Sequence, residues 1–255
     1  DKAVLRILTA KFILYPFFSL GAITTSTSDL EKVGLSQQVS FDVARQSITL
    51  VSPSLKDLNT DLPNPPNNED RIVFISDIVP QYQCSSCQDQ SIFLAKELMN
   101  AVIKLYGSTA GDLIQVNHLS AYSFDEINSL LNGNENTLEI NNNLSQTDWV
   151  VVAFSEFRMN SKESTAFQRL FSEKPELVQN KKVIGFAFNA PYYPDATNIS
   201  KFTAYYALYS KIPQFIEIAA RTLFKEITPT GILPVSVSSV GYDLITATTP
   251  DPSQI

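Results

Sequence analysis

The chain has 255 residues, 44% of them hydrophobic and 18% charged, an ordinary globular composition with length for one large domain or two small ones. A formal charge of −7 repels phosphate, so nucleic acid and anionic membrane are not expected partners. No apolar run is long enough to span a bilayer. One histidine and two cysteines fall short of the four ligands of a structural zinc site, so no metal and no cofactor are expected.

The opening stretch, "DKAVLRILTAKFILYPFF", has no initial Met and reads as the start of a processed protein or of a piece of one. Its charges (Asp1, Lys2, Arg6, Lys11) are spread through it, whereas a signal peptide has a charged start and then an unbroken apolar core. Val4, Ile7, Leu8, Phe12 and Leu14 suit an amphipathic helix from Asp1 to about Tyr15, ended by Pro16. After a polar stretch, "LSQQVSFDVARQS" reads as a second helix with Val39 and Val43 on one face, running into a short extended piece, "SITLVSP". The strongest linker signal is "PSLKDLNTDLPNPPNNED", whose Pro, Asn and Asp content argues against a packed helix or a central strand.

Beyond the linker the pattern alternates. "RIVFIS" is an apolar strand. "SIFLAKELMNAVIKLYG" is a helix with Leu94, Leu98, Val102 and Leu105 at helical spacing and Gly107 as its stop. "DLIQVN" is a second strand, and "SFDEINSLLNG" a helix with the capping-box pair Ser123 and Glu126. The Asn-rich "NGNENTLEINNN" reads as a surface loop. "DWVVVAF" is a strand buried on both faces, "SKESTAFQRLFSEKPEL" a helix up to Pro175, and "KKVIGFAF" and "FTAYYALYS" two more strands. "IPQFIEIAARTLFKEI" is an amphipathic helix and "GILPVSVS" an extended tail. This alternation predicts an α/β fold: a three-layer sandwich of a mostly parallel sheet with helices on both faces, plus an N-terminal helical stub. The expected boundaries are 1–35 for the stub and linker, 36–245 for the sandwich and 246–255 for a tail.

In such a sheet ligands sit at the carboxyl ends of the strands, where this reading places Ser76, Asp77, Asn117, His118, Ser155, Glu156, Phe188 and Asn189. None of the turns carries a G-x-G-x-x-G or a Walker-type lysine loop, so nucleotide binding has no support beyond the fold. In "PQYQCSSCQDQ", Cys84 and Cys87 form a C-x-x-C between a strand and a predicted helix, a context shared with thiol–disulfide enzymes. The core lacks the aromatic-Cys-Gly-Pro pattern of thioredoxins, so a redox pair, a local disulfide and two free thiols all stay open. His118 reads as a general base or as a polar loop residue. Glu156 and Asp195 read as paired carboxylates for glycoside chemistry, or as a cap and a surface charge. Tyr192, Tyr193, Tyr205, Tyr206 and Tyr209 are rings suited to packing on sugar faces or, more simply, to a core.

Four stretches carry a family resemblance. "VSFDVARQSITLV" resembles the "A-R-x-S-[IV]-[TV]-L-[LV]" segment that enters the C-terminal domain of glycoside hydrolase family 3 enzymes. "DKAVLRILTAKFIL" looks like the preceding barrel's last helix, whose pattern is "V-x-R-I-L-x-x-K". "IPQFIEIAARTLFKEITPTGILPVSV" is similar to the closing "A-x-x-x-L-F-G-E-x-x-P-x-G-x-L-P-V", matching at Ala220, Leu223, Phe224, Glu226, Pro229, Gly231, Leu233, Pro234 and Val235, with Lys225 where the family has glycine. The region around Pro191, Tyr192, Tyr205 and Tyr206 also resembles the family's "P-Y-D-L…A-x-[IL]-x-x-Y".

The resemblance implies the α/β sandwich domain of a retaining glycosidase, joined to a stub of the barrel. The family's nucleophile is a barrel aspartate, which would lie before Asp1. In the β-glucosidase branch the acid/base is a glutamate of this domain in a Gly-, Asp- and Arg-rich segment. Glu156 is near that place, but its context is missing, so the resemblance leans to the β-N-acetylglucosaminidase branch, where this domain is supportive. It implies a carbohydrate substrate, a catalytic barrel domain of the same polypeptide as partner, and substrate contacts from Glu156, Asn189, Tyr192, Tyr193 and Asp195. On this reading Cys84 and Cys87 form or permit a disulfide pinning a strand–helix turn, which favours a secreted or envelope location. The rival expectations are a stand-alone carbohydrate-binding module and a C-x-x-C oxidoreductase.

Overall fold

The computed structural model describes residues 1–17, 19–24, 26–77, 79–81, 90–93, 96–155, 162–192, 194–237 and 242–245. The chain divides into two compact units, residues 1–40 and 41–255. The first begins with α1 (Lys2–Leu14), built from straight-chain and aliphatic residues and holding Lys11 in its last turn, where the helix dipole favours a cation. No residue of α1 is buried. Two single-turn helices follow, α2 (Leu20–Ile23) and α3 (Thr27–Leu30), the latter started by a Ser26–Asp29 capping box. Helix α4 (Gln37–Ser47) spans the boundary between the units.

The second unit is built on a six-stranded sheet: β1 (Thr49–Ser52), β2 (Ile72–Ser76), β5 (Leu119–Ser123), β6 (Trp149–Phe154), β7 (Lys182–Ala187) and β8 (Ala204–Ala207), in the order β1-β8-β7-β6-β2-β5. β1 runs antiparallel to β8, and the other pairs are parallel. Side chains alternate between two cores, as a period of two requires. Ile72, Phe74, Trp149, Val151, Ile184, Phe186 and Tyr206 face one core, with α5 (Leu55–Asp61), α6 (Glu97–Tyr106) and α11 (Pro213–Leu223) packed over them. Val73, Ile75, Val150, Val152, Phe154, Val183 and Tyr205 face the other, under α7 (Phe124–Leu131), α8 (Leu138–Gln146), α9 (Lys162–Glu173) and α10 (Ala196–Ile199). The expected three-layer α/β sandwich with a mostly parallel sheet is what the chain forms.

Several local expectations are corrected. The linker contains α5, whose Leu58 is buried: Ser54 caps it by accepting the Asp57 N–H, and the prolines lie only before and after it. The Asn-rich stretch is not a loop but a 3-10 turn leading into α8, which buries Ile140 and Leu144 one turn apart. Residues 91–93 are not the first turn of a helix, and Leu94 lies outside the described residues. The three belong to β4 (Gln90–Phe93), antiparallel to β3 (Val79–Gln81), and α6 begins only at Glu97. The second strand is not "DLIQVN". Asp112 has a left-handed φ of 54°, residues 116–118 form a 3-10 turn, and the strand is the half-buried edge β5.

The closing motif has a physical basis. A Cβ on Gly231 would stand 2.2 Å from the Ser47 carbonyl oxygen, so only glycine lets this segment approach β1, where its N–H donates to the Ile48 oxygen at 2.9 Å. Lys225, just past α11, has a left-handed φ of 59°, the conformation glycine adopts freely. Its Nζ donates to the Leu62 carbonyl and, at 3.2 Å, to that of Pro63, tying the end of α11 to the end of α5.

Candidate functional site

The sheet's winding reverses between β2 and β6. The chain leaves β2 for α6 on one face and reaches neighbouring β5, then crosses over β2 to β6 and continues through α9 on the other face. Neighbouring strands whose connections diverge in this way open a crevice at their carboxyl ends, the usual ligand position in open α/β sheets. Among the described residues nine polar side chains are buried, and four of them (Ser76, Asp77, Ser123 and Ser155) lie at this end of β2, β5 and β6. Polarity is therefore concentrated where the topology places a site.

The centre of the arrangement is a clasp across the crevice floor. Asp77 Oδ2 accepts the Ser155 N–H at 2.8 Å and its hydroxyl at 2.6 Å, with both residues almost fully buried. Two charge-assisted hydrogen bonds on one oxygen stabilise a carboxylate that burial alone would disfavour. Beside it, Ser123 caps α7 by accepting the Glu126 N–H, while Glu126 Oε2 accepts the Ser123 N–H at 2.7 Å and hydroxyl at 2.8 Å. The ladder continues past the strands, with Phe188 N–H donating to Phe154 O and Leu208 N–H to Ala187 O, each at 2.8 Å. The clasp consumes an outward N–H that could have bound an anion and adds a negative charge, so this crevice floor is unsuited to phosphate.

The structure brings together some of the sequence-predicted residues and separates others. Ser76, Asp77 and Ser155 meet as expected at the strand ends. Asn189 is exposed, just beyond β7. His118 is displaced: it precedes β5 instead of following a strand, which puts it and Asn117 at the amino end of the sheet, away from the crevice. Asp195 is exposed and caps α10, accepting the Asn198 N–H at 2.8 Å. Tyr205 and Tyr206 are buried in opposite cores, where loss of solvent pushes both phenols well above the usual tyrosine range, and neither face is open to a sugar. Tyr209 has a left-handed φ of 65° and donates its hydroxyl to Thr49 Oγ1 at 2.9 Å. Tyr192 is half-buried on the second core, its phenol pushed up by burial. Glu156, Tyr193, Cys84 and Cys87 lie outside the described residues.

What the sequence did not reveal is that Asp77 and Ser155 hold each other. The available signal was a polar residue closing each of two uninterrupted apolar strands. Their contact depends on β2 and β6 being neighbours in register, Ser76 beside Ala153. Two grooves among the described residues lie elsewhere. One of about 390 Å³ runs beside β1 between Leu50, Pro53, Leu55, Pro229 and Tyr242, and one of about 260 Å³ lies between α6 and α11.

No family model matches the sequence, and neither does any curated protein. Solved structures do match in fold. One is a fungal multi-domain GH3 beta-N-acetylglucosaminidase described for its GCN5-related glucosamine N-acetyltransferase region, at 17% identity and TM-score 0.54, over 84% of this chain and 21% of that one. A glycoside hydrolase family 3 beta-N-acetylglucosaminidase from Paenibacillus sp. str. FPU-7 matches at 14% and 0.53, over 85% of this chain and 35% of that one. Beta-glucosidase 3B from Thermotoga neapolitana, in complex with glycerol, matches at 13% and 0.50, over 85% and 33%. The chain thus spans a fifth to a third of the solved chains it resembles, and what it shares with them is an architecture.

Proposed function

We propose that this chain is a non-catalytic α/β domain of a retaining glycoside hydrolase resembling the family 3 β-N-acetylglucosaminidases, bracing and completing the carbohydrate groove of a barrel domain. The observation that carries this reading is the commitment of the crevice carboxylate. Retaining hydrolysis needs two carboxyl groups about 5–5.5 Å apart, free to flank the bond. Asp77 is buried and engaged by Ser155, while Asp195 is spent as a helix cap. Neither of these two is arranged as a nucleophile or an acid, which supports a reading in which a barrel domain supplies the reaction's carboxylates.

A second observation supports a partner. Val4, Leu5, Ile7, Leu8, Phe12, Ile13 and Leu14 of α1 are all exposed, an apolar surface of the kind that marks an interaction site. The proposed partner is the barrel to which such a helix belongs, with a carbohydrate as substrate and neither nucleic acid nor membrane involved. The rivals lose ground on specific points. A sugar-binding module would need open aromatic faces, and two of the five tyrosines are buried. A thioredoxin-like centre would have its C-x-x-C run directly into the following helix, and here the strand Gln90–Phe93 precedes α6, which starts at Glu97.

The test is an assay of the chain on chromogenic β-N-acetylglucosaminide and β-glucoside, alone and extended upstream of Asp1. Silence alone with activity on extension is expected; turnover by the isolated chain refutes the proposal.

A further inference from the structure

The sequence carries two N-x-S sequons, Asn143-Leu144-Ser145 and Asn198-Ile199-Ser200. Sequons normally belong to surface loops, because a glycan is bulky and must project into solvent. Neither of these does. Asn198 is only 3% exposed and is followed by Ile199, also 3% exposed, on the short helix α10. Its N–H completes the Asp195 cap, and α10 is packed against the core beneath Phe202 and Tyr205. N-glycosylation replaces a hydrogen on the side-chain amide nitrogen with a sugar, and at this position a sugar has no route to solvent while α10 stays in place.

Asn143 is less buried but is also engaged. Its side-chain amide lies 2.6 Å from the Tyr122 hydroxyl and 3.1 Å from Ser120 Oγ, joining α8 to the edge strand β5. Ser145, the third sequon residue, donates its hydroxyl to the Asn141 carbonyl within the same helix at 2.7 Å. A glycan on Asn143 takes the place of this bridge and stands between helix and strand.

We infer that an N-linked glycan at Asn198 and the native fold are mutually exclusive, so that only chains left unmodified at Asn198 reach the folded state. The two asparagines are structural residues that happen to spell sequons. In a glycosylating secretory pathway the sugar is attached before folding is complete, and a chain modified at Asn198 is then blocked from closing α10 onto its core. The inference is independent of the proposed glycosidase role, since it depends only on the packing of α8 and α10.

The test is secretion of the chain from a eukaryotic host beside Ser200→Ala, which removes the sequon while leaving Asn198 in place. Ser200 is exposed, and its hydroxyl donates only to the Thr197 carbonyl, so the substitution spares the core. Intact mass before and after glycosidase treatment reads occupancy in the secreted and retained fractions. The expected result is secreted protein free of sugar at Asn198, glycosylated chains confined to the retained fraction, and a several-fold higher yield of Ser200→Ala. Folded, secreted protein occupied at Asn198 overturns the inference, and so does an equal yield of the two proteins. Ser145→Ala repeats the comparison at Asn143, with a smaller gain expected.

Discussion

Helix α11 buries Phe215, Ile216, Ile218, Ala219, Ala220, Thr222 and Leu223 out of 11 residues, whereas α1, with 13 residues and a higher share of large aliphatics, buries none. Sequence pattern alone would place α1 as deep as α11. The difference is the presence of a partner. α11 lies on the sheet face formed by Phe186 and Tyr206 and beside α6, while α1 presents its apolar residues to solvent. A helix gains most of its stability from the face it packs and little from propensity. The sharpest test is therefore energetic. Ile218→Ala removes a fully buried side chain and is expected to cost about 3 kcal/mol in denaturant unfolding. Leu8→Ala is expected to change stability by less than about 0.5 kcal/mol. Equal losses would break the contrast, because they would mean that α1 is packed in solution.

Next in size is the clasp, where a polar group has found its partner as fully as α11 has found its core. Asp77→Ala leaves the Ser155 N–H and hydroxyl buried without their acceptor, a loss of about 2–3 kcal/mol for charge-assisted bonds. Asp77→Asn keeps the shape and one acceptor oxygen and is expected to cost about half as much. If the two substitutions cost the same, charge has no part in the clasp.

These two regions also show how far the sequence could be read. β2, β6 and β7 were legible because both faces of each are buried, giving unbroken apolar runs such as Val150–Phe154. β5 was not. As an edge strand it has no unbroken apolar run, and Ser120 and Ala121 are only half-buried, while the more apolar Leu113, Ile114 and Val116 just before it drew the strand assignment. α5 and α8 were hidden by composition, since prolines around one and asparagines within the other signal loops, although Leu58 and the Ile140–Leu144 pair carry their burial. The displacement of β5 also moved His118 to the opposite end of the sheet. The clasp was out of reach for a different reason: Asp77 and Ser155 are 78 positions apart and meet only through strand order.

A third prediction uses the strand that α11 covers. Tyr205 and Tyr206 are buried, and loss of solvent raises both phenols well above the usual tyrosine range. In the unfolded chain they lose their protons near pH 10; in the folded chain they keep them. Above pH 10 the folded state binds more protons, so stability is intact below pH 10 and falls as pH rises beyond it, by about 1.4 kcal/mol per pH unit for each tyrosine. Tyr205 is the cleaner probe, because its hydroxyl makes only a 3.5 Å contact with the Pro191 carbonyl. Tyr205→Phe should remove one tyrosine's share of the alkaline slope, measured as unfolding free energy from pH 9 to 12, with little change at neutral pH. An unaltered slope would place the Tyr205 hydroxyl in contact with water.

The smallest effect expected is at the end of α11, where two terms oppose. Lys225 holds a left-handed φ of 59°, which costs a residue with a Cβ about 1 kcal/mol relative to glycine. Its ammonium group meets the Leu62 and Pro63 carbonyls, closing the C-terminus of α5, and such bonds contribute about 1 kcal/mol at a partly exposed site. Lys225→Gly should therefore leave overall stability within about 0.5 kcal/mol of the starting chain, the backbone relief offsetting the lost staple. The two terms separate by location. Hydrogen exchange should speed up in α5, which loses its C-terminal partner, and stay unchanged in α11, which keeps its buried face. A change in α11 with none in α5 would mean that the ammonium group does not tie the two helices, and that the left-handed lysine is held there by packing alone.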